Sequence, residues 1–236
     1  MKTKFFMKFL FMALFMKVVG EFIHEFIGHG FFVLLFGGKI TKVYLSILWP
    51  YELSYIGWSG NFERWQIIWI EGGGIFICTI TSIILQALLL LNVAKKQRWI
   101  IPLFWLAFWT FINPAGYLIL SGISPFGDVA SLIAKGVLTK SSSMIFGIII
   151  FSGSFVFISK ILCNILTDIN MPRESMKMRF SLCLFWLLIP VITFLYCLKT
   201  KYSLNYIGVL SMLSLLPLVA AFIIAPLLCF NYPREK

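Results

Sequence analysis

The sequence predicts an all-α polytopic membrane protein of about six transmembrane helices, with a short β-hairpin or re-entrant element after the first. Three observations carry this. Apolar runs long enough to cross a bilayer recur along the 236 residues, at roughly 5–36, 66–93, 98–121, 144–166, 179–198 and 205–229. The chain is 60% hydrophobic with 25 Phe and only 12% charged residues, more apolar surface than a soluble domain of this length can use. The basic residues behind the net charge of +11 fall in short groups between these runs, as juxtamembrane charges do. They form no long tract or stripe, so the charge speaks for a lipid bilayer and against nucleic acid as partner.

The first run begins Lys-rich and then turns apolar, like a secretory signal. It continues through residue 36 without a small-residue cleavage site, so a retained signal anchor is expected. At over 30 residues it exceeds the ~20 that a span needs, and is expected to tilt, protrude or break near Gly20. Residues 40–49 are β-rich and alternate Val43, Leu45, Ile47 and Trp49 against Lys42, Tyr44 and Ser46. A second such stretch follows from Glu52 to Ser59, so the pair reads as a hairpin or as an interfacial aromatic segment. In the third run Asn113-Pro114 is expected to break the helix and to open an irregular segment that reaches Asp128. No repeat or second domain is apparent. The chain reads as one membrane-embedded domain, 1–236, with a motif-bearing core at 5–135 and accessory helices at 144–229.

Lys and Arg in the connections number 11 on the side of both termini and 7 on the other. The positive-inside bias therefore predicts both termini in the cytoplasm, with the chain in the cell membrane. Five cysteines, all in apolar runs and without C-x-x-C spacing, read as small buried hydrophobes rather than a disulfide framework.

Within the first run lies His24-Glu25-Phe26-Ile27-Gly28-His29, which holds both histidines of the protein. Ionisable groups at membrane depth are expensive and mark functional sites. Zinc favours His nitrogen and carboxylate oxygen, and H-E-x-x-H on a helix is a familiar zinc-peptidase arrangement. Here the histidines are five apart, which separates them by about 140° on an ideal α-helix instead of about 40°. A one-residue π-bulge would restore the facing, and Gly28 is where such a distortion costs least. Glu21 falls on the same arc, so the helix carries one polar stripe on an apolar rod. That stripe suits either a metal site or Glu/His pairs that stabilise the bundle or relay protons. A third ligand has to come from elsewhere, and the acids in position are Asp128, which is favoured, and Glu71 in Glu71-Gly72-Gly73-Gly74.

The hexapeptide resembles the H-E-x-x-G-H of dipeptidyl peptidase III, a soluble zinc peptidase, over those six residues alone. The larger pattern resembles the site-2 protease family of intramembrane zinc metalloproteases. The similarity rests on three blocks in that family's order: His24-Glu25 to Gly28-His29-Gly30 leading into a β segment, Glu71-Gly72-Gly73-Gly74 opening the next helix, and Asn113-Pro114 with Asp128 downstream. It covers about residues 20–135. The resemblance implies Zn²⁺ held by His24, His29 and Asp128, Glu25 as general base, and Asn113 hydrogen-bonding the substrate backbone or oxyanion; Glu21, from the polar stripe, and Glu71 are candidate accessory groups. The implied substrate is a membrane protein or peptide cleaved within or beside its spanning segment, bound by strand addition at 40–49. Two rival classes fit the same residues: a non-proteolytic membrane metal-binding or scaffold protein, and a small proton-coupled transporter. Having only two histidines, five apart on one helix, argues against a bis-histidine haem and excludes a histidine-rich di-iron centre.

Overall fold

The computed structural model describes residues 2–47, 52–91, 93, 97–124, 126–169, 171, 176–199 and 204–230. Helix α1 (Lys2–Phe22) passes into a π-helix (Ile23–Gly30) and α2 (Phe31–Leu35), followed by β1 (Lys39–Tyr44), β2 (Tyr55–Ser59), α3 (Arg64–Leu90), α4 (Gln97–Ile123) and α5 (Gly127–Ala134). Then come α6 (Lys140–Asp168), α7 (Met176–Trp186), α8 (Leu188–Lys199) and α9 (Leu204–Phe230). Among the described residues five helical stretches are long and apolar enough to cross a membrane: Arg64–Leu90, Trp99–Ile123, Lys140–Asp168, Met176–Leu198 and Leu210–Leu228. With a single small hairpin beside them, this is the build of an all-α polytopic membrane protein. Pro50, Pro125, residues 48–49 of the first predicted strand, and Lys95, Lys96, Arg173, Lys201, Arg234 and Lys236 of the charge count lie outside the described residues.

The first predicted span is helical through Leu35 but is not among those five, because Lys8, Lys17, Glu21, His24, Glu25 and His29 make it too polar. It does not break at Gly20, which is buried against the Cβ of Trp109 on α4. Its two faces differ sharply. Phe11, Leu14, Phe15, Phe22, Phe26 and Ile27 are exposed, while Ala13, Lys17, Glu21, His24 and Glu25 are buried. Helix α2 stops at Gly37, whose φ of 80° sets up hydrogen bonds from Gly37 N to Leu34 O (3.1 Å) and from Gly38 N to Val33 O (2.8 Å).

Strands β1 and β2 pair antiparallel, from Lys39 opposite Ser59 to Tyr44 opposite Tyr55, with an irregularity between Ile40 and Lys42. The hairpin is fastened by an apolar cluster of Phe32, Val33 and Ile70, against which Phe36, Ile40, Trp58, Phe62 and Ile77 pack. Helix α3 then starts with a reciprocal cap between Glu63 and Gln66. Its buried residues Ile70, Gly73, Gly74, Cys78, Ser82, Leu85, Gln86 and Leu89 follow the three-and-four spacing of a single stripe. Hydrogen bonds from Ser82 Oγ to Ala107 O (2.9 Å) and from Gln86 Nε2 to Ser154 Oγ (3.1 Å) tie this stripe to α4 and α6.

The expected break at Asn113-Pro114 does not occur: α4 contains both Pro102 and Pro114 and runs on to Ile123. A proline removes one backbone donor, and a packed membrane helix tolerates that loss where neighbouring groups support it. The chain turns instead beyond Ile123. There the Ser121 hydroxyl donates to Phe126 O and accepts from Phe126 N, each at 3.0 Å, and Gly127 adopts a φ of 54° with its Cα packed onto the Tyr117 ring. Any side chain at 127 would meet both a left-handed backbone and that ring.

The chain divides into two compact units, residues 1–47 with 54–154, and 48–53 with 155–236. In the second, Trp186 Nε1 donates to Ser159 Oγ (2.9 Å), and Arg179 lies over the Phe222 ring. The fifth predicted span is two helices with a turn at Leu187, where Pro190 cannot donate to the Trp186 carbonyl. Cys78, Cys183 and Cys197 are free thiols, but Cys163 is disulfide-bonded, against the expectation of unpaired cysteines. Pairing of that kind depends on which helices pack together, and linear spacing does not reveal it.

Candidate metal centre

The π-helix coincides with the histidine motif. Its hydrogen bonds close five residues back instead of four, so side chains five apart come onto one face. His24 Nε2 and His29 Nε2 accordingly lie 3.3 Å apart, their rings nearly perpendicular at 82° with centroids 4.9 Å apart. Gly28 makes the arrangement possible by close approach: a Cβ there would collide with the Gly74 backbone of α3. The glycine that the sequence marks as the easiest place to distort is also where two helix backbones touch.

Asp128, the second residue of α5, completes the group. Its Oδ2 lies 2.9 Å from His24 Nε2 and 3.3 Å from His29 Nε2. The three donor atoms thus form a triangle with edges of 2.9, 3.3 and 3.3 Å. A tetrahedral ion with bonds of about 2.0–2.1 Å needs donor–donor edges of roughly 3.3–3.4 Å, so the triangle matches one face within a few tenths of an ångström. Clearance over that face comes from Gly74. A Cβ on it would sit 2.6 Å from His24 Cε1, His24 Nε2 and His29 Nε2. The donor set and the open space both fit a metal ion.

Groups behind the donors hold them in place. His29 Nδ1 donates to the Ile70 carbonyl at 2.6 Å, which fixes the tautomer and leaves the Nε2 lone pair directed at the group. His24 stacks on Tyr117 with centroids 5.5 Å apart and planes 8° apart, and its Nδ1 lies 3.8 Å from Cys78 Sγ. Glu25 is buried beside the donors, and one of its oxygens lies within 4.8 Å of the histidine nitrogens. Asp128 lies within 3.3 Å of both rings, and Glu25 is a second carboxylate within reach of the same ion. The site opens on the Asp128 side, where that side chain is 26% exposed against 1% for His24 and 6% for His29.

The remaining predicted residues lie elsewhere. Glu71 is ion-paired: Lys135 Nζ lies 2.9 Å from its Oε1 and 2.8 Å from its Oε2, which removes it as a rival to Asp128. Glu21 forms a buried ion pair with Lys17 and accepts a hydrogen bond from Asn113 Nδ2 at 3.2 Å. Asn113 thereby braces α4 to α1, while its Oδ1 is buried without a hydrogen-bond partner among the described residues. Lys17 also lies over the Trp109 ring, 5.7 Å from its centroid. A buried charge pair of this kind contributes little net stability, yet losing one partner costs several kcal/mol.

Lys17, Ile70, Cys78, Tyr117 and Lys135 were not among the expected site residues, and Gly74 was expected only as part of the block Glu71-Gly72-Gly73-Gly74. Lys17 was legible as a charge four residues before Glu21 inside an apolar run. Ile70, Gly74 and Cys78 share one face of α3 at four-residue spacing, but nothing in the sequence says that this face meets the histidines. Comparison with known protein families, curated proteins and solved structures finds no match for this chain. The described residues hold a buried cluster of His24, Glu25 and His29 able to bind a metal ion, with Asp128 in contact with both rings.

Proposed function

We propose that the protein is an intramembrane zinc metalloprotease that hydrolyses peptide bonds of membrane-spanning or juxtamembrane segments, with the character of the site-2 protease family. The observation that carries this reading is the triangle of His24 Nε2, His29 Nε2 and Asp128 Oδ2 with Glu25 alongside. Two imidazoles and one carboxylate leave a fourth position open, the pattern of a catalytic and not a structural zinc site. His24, His29 and Asp128 would hold the metal. Zinc, when bound, polarises a carbonyl and makes water acidic enough to ionise near neutral pH.

Glu25, a buried carboxylate that is not itself needed as a donor, takes the proton of the attacking water and passes it to the leaving amine. Asn113 keeps Glu21 in place, and hydrogen bonding to the substrate backbone or oxyanion is the role the family resemblance would give it. The hairpin β1–β2, packed beside the motif through Phe32, Ile40 and Trp58, offers an edge for an unwound substrate strand. The substrate enters from the Asp128 side. The motif-bearing first helix would add a sixth crossing to the five apolar ones, and the charge bias then favours the cell membrane with both termini in the cytoplasm.

Metal removal tests the reading. Purified protein in detergent, incubated with a quenched fluorogenic peptide of membrane-spanning sequence, is expected to lose cleavage on treatment with a strong chelator and to regain it with zinc. Cleavage unaffected by the chelator would eliminate a metalloprotease and leave the transporter class as the better account of the stripe.

A further inference from the structure

Helix α5 brings only one residue, Asp128, to the metal donors, and its far end is held with unusual thoroughness. The Lys135 ammonium, directly after α5, lies 2.8–2.9 Å from both Glu71 oxygens and donates to Ser131 Oγ at 2.7 Å. The Lys135 carbonyl accepts from Arg64 Nη2, also at 2.7 Å. Arg64 and Glu71 are seven residues apart on α3, which places them on one face two turns apart. Between the ends of α5, Leu132 faces Gly72, where an added Cβ would meet it at 3.8 Å, and Val129 is fully buried. The same short stretch of α3 therefore provides the Ile70 carbonyl for His29, the clearance at Gly74 for both rings, and the Glu71 carboxylate that secures α5.

We infer that the Glu71–Lys135 ion pair is a positioning device for the third metal donor. It clasps α5 to the segment of α3 that already orients the histidines, so that Asp128 Oδ2 stays on the His24–His29 pair. Glu71 is thus a positioning residue and not a ligand. The geometry requires something of this kind. Asp128 follows a glycine in the left-handed region, and its helix is only eight residues long. An isolated helix of that length is marginal, so the register of Asp128 depends on what fixes the far end. Groups behind a metal ligand characteristically change affinity about 10–100-fold when removed.

The inference rests on the metal-site reading, and the experiment separates the two. Zinc affinity is measured by competition with a chromogenic chelator on the full-length protein in detergent, with circular dichroism and gel filtration to confirm the fold. Glu71→Gln and Lys135→Met are each expected to weaken zinc about 10–100-fold. The charge swap Glu71→Lys with Lys135→Glu should recover most of that loss, because it rebuilds the clasp with its ends exchanged. Single variants that bind zinc as the wild type does, or a charge swap that folds but recovers none of the loss, would overturn the positioning role and leave the metal site standing. Wild-type protein that takes up no zinc would overturn both.

Discussion

Replacing Glu25 with Gln is expected to reduce cleavage by about 10²–10⁴-fold while zinc remains bound, because a positioned general base contributes on that scale. Glutamine keeps the shape and the hydrogen-bonding capacity of the buried side chain but cannot take a proton from water. Zinc should be retained because the donor triangle is closed by Asp128, whose oxygen lies 2.9 and 3.3 Å from the two rings. Single-turnover cleavage and metal content, measured on the same preparation, provide the check. Loss of zinc together with activity would make Glu25 a ligand, and unchanged turnover would leave the site without its base.

The second large effect is expected at Gly74. Alanine there would place a methyl group 2.6 Å from three ring atoms of His24 and His29. Neither ring can yield easily: His29 is tethered to the Ile70 carbonyl and His24 lies against Tyr117. Gly74→Ala should therefore weaken zinc by about 10–100-fold or more and lower stability by about 1–3 kcal/mol through overpacking. Gly72→Ala is the matched control. Its Cβ would be 3.8 Å from Leu132, an ordinary contact, and alanine is the better helix former by about 0.8–1.0 kcal/mol. Thermal unfolding in detergent and zinc competition on the two variants should diverge. If they behave alike, the clearance at Gly74 has no bearing on the site.

The parts of this molecule that were legible in its sequence are those set by local pattern. Apolar length located five of the helices, and the two β-rich stretches located the hairpin, although the first strand ends at Tyr44, short of the predicted 49. The i, i+5 histidine spacing would face both rings one way with a one-residue π-bulge, and the chain winds a full π-helix over Ile23–Gly30. What escaped depends on packing between helices. Asn113-Pro114 reads as a break, yet α4 carries Pro114 in its interior, and the turn that delivers Asp128 lies about ten residues further on, where Ser121 brackets Phe126. The polar stripe reads as a run of site residues, yet Glu21 belongs to a structural pair with Lys17 that also engages Asn113. Glu71 reads as a possible ligand because its partner, Lys135, is 64 positions away. Carbonyl groups such as that of Ile70 have no side-chain signature at all.

Zinc per protomer in detergent-purified protein, compared for wild type, His29→Ala and Asp128→Ala, tests the three-donor centre most directly. His29 is a donor only if the helix is wound as a π-helix, and Asp128 only if α5 folds back onto the motif. The expected result is about one zinc in the wild type and little or none in either variant, since a site reduced to two protein donors no longer meets zinc's usual requirement of three or four. Zinc retained in His29→Ala or in Asp128→Ala would contradict the geometry on which the centre is built, and its absence from the wild type after reconstitution would remove the centre altogether.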